Sequence, residues 1–180
     1  MRALCASFVL ATVAFAACDP PETPAAETAV QDEAAVSGGA LPDDVARTVR
    51  HLRDIARSGG YRELAQFASE TPDFRSNNAG LSDREYWSLK ERTGDFPAEQ
   101  VGRVLSYPHA VADTPQGKVY IWPALAMLKA DEITPADARD IDRLLGQGQA
   151  DELRNGATWP GYVLGIREDG RWLYFVSGAG

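Results

Sequence analysis

Cysteine is the residue that this sequence most lacks. The 180 residues include two cysteines, Cys5 and Cys18, and both lie near the amino terminus. From residue 41 onward the chain therefore has no disulfide, no thiol nucleophile and no cysteine ligand for a metal. A domain built from these residues must be stabilised by its hydrophobic core.

Histidine is equally scarce, because His51 and His109 are the only two in the chain. The sequence also lacks the residue spacing of a zinc-protease helix, a nucleophile elbow, a phosphate-binding loop or a calcium-binding loop. The carboxylates of Asp137, Asp140 and Asp142 have no glycine-centred loop after them, so they are interpreted as solvated surface. We expect no metal and no cofactor.

Basic residues are too few for a nucleic-acid interface. The chain has 18 basic and 26 acidic residues, for a formal net charge of −8. One of these basic residues and five of the acidic ones precede residue 41, which leaves residues 41–180 with a net charge of about −4. Since nucleic-acid binding depends on neutralising phosphates, no nucleic-acid partner is expected.

The amino-terminal residues follow the pattern of a bacterial export signal. Arg2 supplies a positive charge, residues 3–17 are uncharged, and Ala16 and Ala17 directly precede Cys18. The apolar run is shorter than the roughly twenty residues that a membrane-spanning helix needs. The pattern resembles the lipobox of bacterial lipoproteins, which implies a signal peptide over residues 1–17 and lipid attachment at Cys18. The alternative is an ordinary secretory signal that happens to contain a cysteine.

The segment after this cysteine has the composition of a disordered tether. Residues 19–40 contain three prolines, six alanines and five acidic residues, and no basic or aromatic residue, so they cannot bury enough surface to fold. We expect residues 18–40 to link a lipidated cysteine to a folded domain. The lipoprotein resemblance implies that the protein is exported and anchored to a bacterial membrane, on the side that faces the periplasm. The choice between inner and outer membrane stays open.

Hydrophobic periodicity predicts a largely helical first half for the domain at residues 41–180. Val45, Val49 and Leu52 repeat at helical spacing and are followed by the helix-ending pair Gly59-Gly60. Shorter helices are predicted over residues 61–68, after Ser82, after Phe96 and after Thr134, and a strand is predicted over residues 118–122.

The carboxyl-terminal segment predicts a β-hairpin, because Asp169-Gly170 separates two alternating runs, residues 162–168 and 171–176. If these two residues form the loop, the predicted buried face consists of Leu164, Ile166, Leu173 and Phe175. The sequence therefore predicts an α+β fold, in which an N-terminal helical segment packs on a small antiparallel sheet that includes this hairpin.

Several segments together resemble uncharacterised envelope proteins of alphaproteobacteria. The resemblance covers most of residues 41–178 and implies a fold shared among exported proteins, with no known activity and no site residue. The matching segments are Asp73-Phe74, Trp87, residues 119–123, residues 161–166, residues 169–172 and residues 175–178.

Aromatic side chains are the ligand-binding candidates of this sequence, since stacked rings bind sugars or peptides without catalysis. The candidates are Trp122, Trp159, Trp172 and Tyr174, and the alternative is that these rings fill the core. The weak catalytic candidate is His109, with Asp113 four residues on and Tyr107 nearby; otherwise it is a loop histidine bonded to backbone.

Three functions remain open at this level. The expected one is a non-enzymatic binding or accessory module, held at the membrane through Cys18, with an envelope protein or a cell-wall component as its partner. The second is a carrier of a small apolar ligand with a pocket between helices and sheet. The third is a small periplasmic hydrolase that uses His109.

Overall fold

The computed structural model describes residues 35–37 and 39–178. The predicted signal peptide, Cys18 and most of the predicted tether lie outside the described residues. The tether was expected to extend to residue 40, but Ala35–Ser37 forms a strand, β1, that pairs with backbone near residue 110. The end of that segment therefore belongs to the sheet.

Within residues 39–108 four helices precede the central strands, in agreement with the periodicity. They are α1 (Asp43–Ser58), α2 (Tyr61–Glu70), α3 (Asp83–Arg92) and α4 (Pro97–Val104). Helix α1 ends at Gly59, whose φ of 74° is the left-handed conformation that glycine adopts without a Cβ clash. Helix α3 begins with a capping box between Ser82 and Glu85.

In the described part of the chain the sheet consists of β1 and five further strands in the order β1-β3-β4-β5-β6-β2. The five are β2 (Arg75–Ser76), β3 (His109–Thr114), β4 (Gly117–Trp122), β5 (Tyr162–Arg167) and β6 (Trp172–Ser177). Strand β2 runs parallel to β6 and the other pairs are antiparallel. The α+β prediction is confirmed.

Two more helices, α5 (Pro135–Leu145) and α6 (Gln149–Arg154), lie between β4 and β5, after a 3-10 turn at Ala124–Met127. Thr134 caps α5 through the predicted capping box with Asp137. Together with Trp159 these elements form a second, smaller hydrophobic cluster.

The main core lies between helices α1 to α4 and one face of the sheet, here called the inner face. On that face Leu164, Ile166, Trp172 and Phe175 are at most 1% exposed, and they pack in one cluster with apolar residues of the helices. The opposite face of the sheet is called the outer face.

The hairpin forms as predicted, but its loop has three residues instead of two. The N–H of Arg167 bonds to the carbonyl of Arg171 at 2.9 Å, and Gly170 has a φ of 83°, the combination typical of a three-residue loop. Ile166 therefore opposes Trp172, and the register shifts by one residue before Gly165 opposes Tyr174.

This shift corrects the predicted buried face. Trp172 is fully buried on the inner face, whereas Leu173, the extra residue at the shift, is partly exposed. Leu164 opposite Phe175 and Gly165 opposite Tyr174 are confirmed, because the bulge at Leu173 restores the register further from the loop.

Candidate functional site

His109, the weak catalytic candidate, is the first residue of β3 and not part of a loop. Its side chain is buried, with ring centroids 5.6 Å from Tyr120 and 5.2 Å from Trp122. Burial lowers the pKa of His109, which favours the neutral ring.

The structure does not bring the expected partners of His109 to it. Asp113 lies four residues along the same strand, a distance of about 13 Å at strand spacing, and it pairs with Lys118 at 3.4 Å. Tyr107 packs against the second hydrophobic cluster instead.

The three tryptophan candidates are core residues. Trp122 is 2% exposed, Trp159 is 7% exposed and Trp172 is fully buried. Trp172 stacks on Phe67 with ring centroids 5.5 Å apart. The indole Nε1 atoms of Trp159 and Trp172 are buried without a hydrogen-bond partner among the described residues, so neither ring presents a polar edge to solvent.

Tyr174 is the candidate that lines a recess. It lies on the outer face of the sheet over Gly165, at the edge of an open groove of about 330 Å³. We call this recess the arginine groove; it is lined by Asp73, Arg75, Thr114, Gln116, Val119, Arg167, Arg171, Leu173 and Tyr174.

Strand register explains why these side chains meet. Arg75 of β2 is paired with Tyr174 of β6, and Val119 of β4 is paired with Arg167 of β5. Paired residues on adjacent strands project from the same face. The bulge then adds Leu173, so residues from the five strands β2 to β6 line one depression.

The groove combines apolar and charged side chains. Val119, Leu173 and Tyr174 supply the apolar surface, and the charged lining consists of three guanidinium groups and one carboxylate, that of Asp73. Burial alone raises the pKa of Tyr174 to about 12, so its hydroxyl stays neutral at physiological pH. The arrangement suits a ligand with an apolar part and a polar or charged end.

A larger open recess of about 700 Å³ lies between α2 and α3. Its charged lining is mixed in sign, with Arg62, Glu63, Asp83 and Arg84 all present. The carboxylate of Asp83 already accepts hydrogen bonds from Ser76 and Asn78. We therefore place the candidate site at the arginine groove, where three of the four charged lining residues are arginines and three others are apolar or aromatic.

Of the residues that line the groove, the sequence indicated Tyr174 as a ligand-binding candidate and none of the others. Alternation along β5 puts Arg167 on the same side of the sheet as Gly165. No local signal indicated that Asp73 and Arg75, about a hundred residues earlier in the chain, would join it, because that pairing depends on β2.

Comparison with protein-family models, curated proteins and solved structures finds no match for this chain. Among residues 35–37 and 39–178 no group of three or more histidine or acidic side chains could hold a metal ion. Within the same residues no helix is both long enough and apolar enough to cross a membrane.

Proposed function

We propose that this chain is a lipid-anchored lipoprotein of the bacterial cell envelope whose folded residues form a non-enzymatic binding module. The arginine groove is its ligand site. The lipid on Cys18 holds the module at a membrane facing the periplasm, and an envelope protein or a cell-wall component is its partner.

The anchor rests on the sequence. An uncharged apolar run, small residues before Cys18, and a following segment rich in proline, alanine and acid are all typical of exported lipoproteins. Several acyl chains on one cysteine hold a protein stably, whereas a single chain holds it only marginally.

The observation that carries the binding function is the lining of the arginine groove, where three arginines meet the apolar surface of Val119, Leu173 and Tyr174. Its volume lies within the usual range for small-molecule sites, which are mostly apolar with a few placed polar groups. By contrast, the space between helices and sheet, where an apolar carrier would have its pocket, is filled by Trp87, Trp172 and Phe175.

The test is a fragment screen on the full lipidated chain in lipid nanodiscs, followed by methyl correlation spectra. Val119 and Leu173 supply reporter methyl groups inside the groove, and Leu89, which is 44% exposed on α3, supplies one outside it. We expect fragments to shift the signals of Val119 and Leu173 but not that of Leu89.

A pair of variants controls for non-specific effects. Leu173→Gln removes apolar surface from the groove, and Leu89→Gln makes the same change elsewhere. The proposal predicts weaker fragment binding only for Leu173→Gln. A library that shifts no groove signal, or equal losses in the two variants, would contradict it.

A further inference from the structure

The three guanidinium groups of the arginine groove differ in what already binds them. Arg167 donates from two of its nitrogens to the carboxylate of Asp169, so its binding edge is occupied. Arg171 lies 3.6 Å from Asp73, beyond hydrogen-bond distance. Arg75 is exposed and has no ion pair among the described residues. Two of the three cations are therefore available to a ligand.

Asp73 is the one acidic residue among those of 39–178 that line the groove. Its side chain is 84% exposed and it competes for Arg171 only through the long contact just described. An exposed pair of this kind contributes little and is readily displaced. Its backbone has a φ of 61°, the left-handed region, which asparagine and aspartate tolerate better than most residues.

Guanidinium groups select oxyanions by geometry as well as by charge. Their planar donors match the oxygens of a carboxylate or a phosphate in bidentate pairs. Val119, Leu173 and Tyr174 line the same groove and offer apolar surface to the rest of a ligand. A ligand that contacts both the arginines and the apolar residues therefore has a charged end and an apolar end.

We propose, on the basis of the binding function above, that the arginine groove takes an amphipathic anion, in which a carboxylate or phosphate is attached to a flat apolar body. Arg75 and Arg171 bind the oxyanion. Arg167 is neutralised by its pair with Asp169 and does not bind the oxyanion. The carboxylate of Asp73 competes weakly with the ligand for Arg171.

The test uses three probes that share one ring system: 2-naphthoate, 2-naphthyl phosphate and the neutral 2-naphthalenemethanol. Each is titrated against the full chain in lipid nanodiscs, with empty nanodiscs as the partition control and the Val119 methyl group as the reporter. We expect both anions to bind roughly ten-fold or more tightly than the alcohol, the difference one charge-assisted hydrogen bond provides. The ratio between the two anions tells which oxyanion the groove prefers.

Two groove variants and one matched control test which residues determine the affinity for the anions. Arg75→Gln is expected to weaken anion binding roughly ten-fold and to leave alcohol binding unchanged. Asp73→Asn keeps a residue that tolerates the left-handed backbone at position 73 and removes the carboxylate that competes for Arg171. The affinity for the anions should therefore rise by roughly two- to five-fold. Arg50→Gln, at an exposed position of α1 outside the groove, should change neither.

The outcomes separate this inference from the binding function. If the alcohol shifts Val119 as strongly as the anions do, the groove binds ligands and the anion assignment is wrong. If Arg50→Gln weakens anion binding as much as Arg75→Gln, the attraction is non-specific and the assignment is again wrong. If no probe and no library fragment shifts a groove signal, the binding function itself fails.

Discussion

The ring of Tyr174 occupies the space where a side chain on Gly165 would begin. A Cβ atom added to Gly165 would lie 2.3 Å from Cζ of Tyr174, far inside van der Waals contact. The two residues are directly opposed on β5 and β6. The glycine therefore lets the tyrosine ring lie flat against the sheet and form one side of the arginine groove.

Gly165→Ala is expected to displace this ring and to lower the free energy of unfolding by about 1–3 kcal/mol, the usual cost of overpacking. Urea denaturation measures the change. The matched control is Gly60→Ala, where the added atom would meet only the flexible end of Glu63, at 3.3 Å. In a Tyr174→Ala background the cost of Gly165→Ala should largely disappear; an undiminished cost there would contradict the account of this pair.

Stability at alkaline pH should report the burial of Tyr174. Burial raises its pKa from 10.0 to about 12, so the folded state retains the phenolic proton longer than the unfolded state. The resulting stabilisation is fully present below about pH 10 and declines as the pH rises toward 12. Denaturation curves recorded across this window should fall less steeply for Tyr174→Phe than for the parent chain; parallel curves would show that Tyr174 ionises normally.

The contact between Tyr162 and Asp95 should stabilise the fold. The Tyr162 hydroxyl donates to Oδ2 of Asp95 at 2.7 Å, and Lys90 donates to the same oxygen at 2.9 Å. Tyr162→Phe removes one of these donors and is expected to cost about 1 kcal/mol. Tyr107→Phe is the control, since the Tyr107 hydroxyl makes no hydrogen bond among the described residues. Equal effects in thermal unfolding would contradict a specific role for the Tyr162 hydroxyl.

The start of α5 gives a test of a feature that the sequence predicted. Thr134 accepts a hydrogen bond from the N–H of Asp137 at 3.2 Å and donates its hydroxyl to that carboxylate at 2.6 Å. Thr134→Ala should lower the free energy of unfolding by about 1 kcal/mol, and Thr134→Ser should restore most of it. A serine variant no more stable than the alanine variant would argue against the cap.

Local features of this fold were predictable because their causes lie within a few residues. Gly59 ends α1, Thr134 begins α5, and Asp169-Gly170 reverses the chain between β5 and β6. Each depends on backbone conformation or on a side chain that bonds to its own neighbours. Between these points, hydrophobic periodicity predicted which side of each helix is buried.

Features that depend on distant pairing were not predictable in this way. The loop length of the final hairpin decided whether Trp172 or Leu173 joined the core, and a difference of one residue in the loop exchanged them. His109 begins a strand because β1 pairs with β3 there, where Ser37 opposes His109, while β4 pairs with β3 from Ala110 onward. Arg75 reaches the groove only through a two-residue parallel strand.

The central claim, that these folded residues form a binding module held at a membrane by lipid, is tested most directly at Cys18. The measurement is intact mass spectrometry of the chain produced in a bacterium with its own amino-terminal segment, together with membrane fractionation of the parent chain and of Cys18→Ala. The account predicts that the mature parent chain begins at a lipid-bearing Cys18 and is found with the membranes. It predicts that the Cys18→Ala variant carries no lipid and is not retained by membranes as a mature chain. An unmodified chain cut at another position, and equally soluble in both versions, would contradict it.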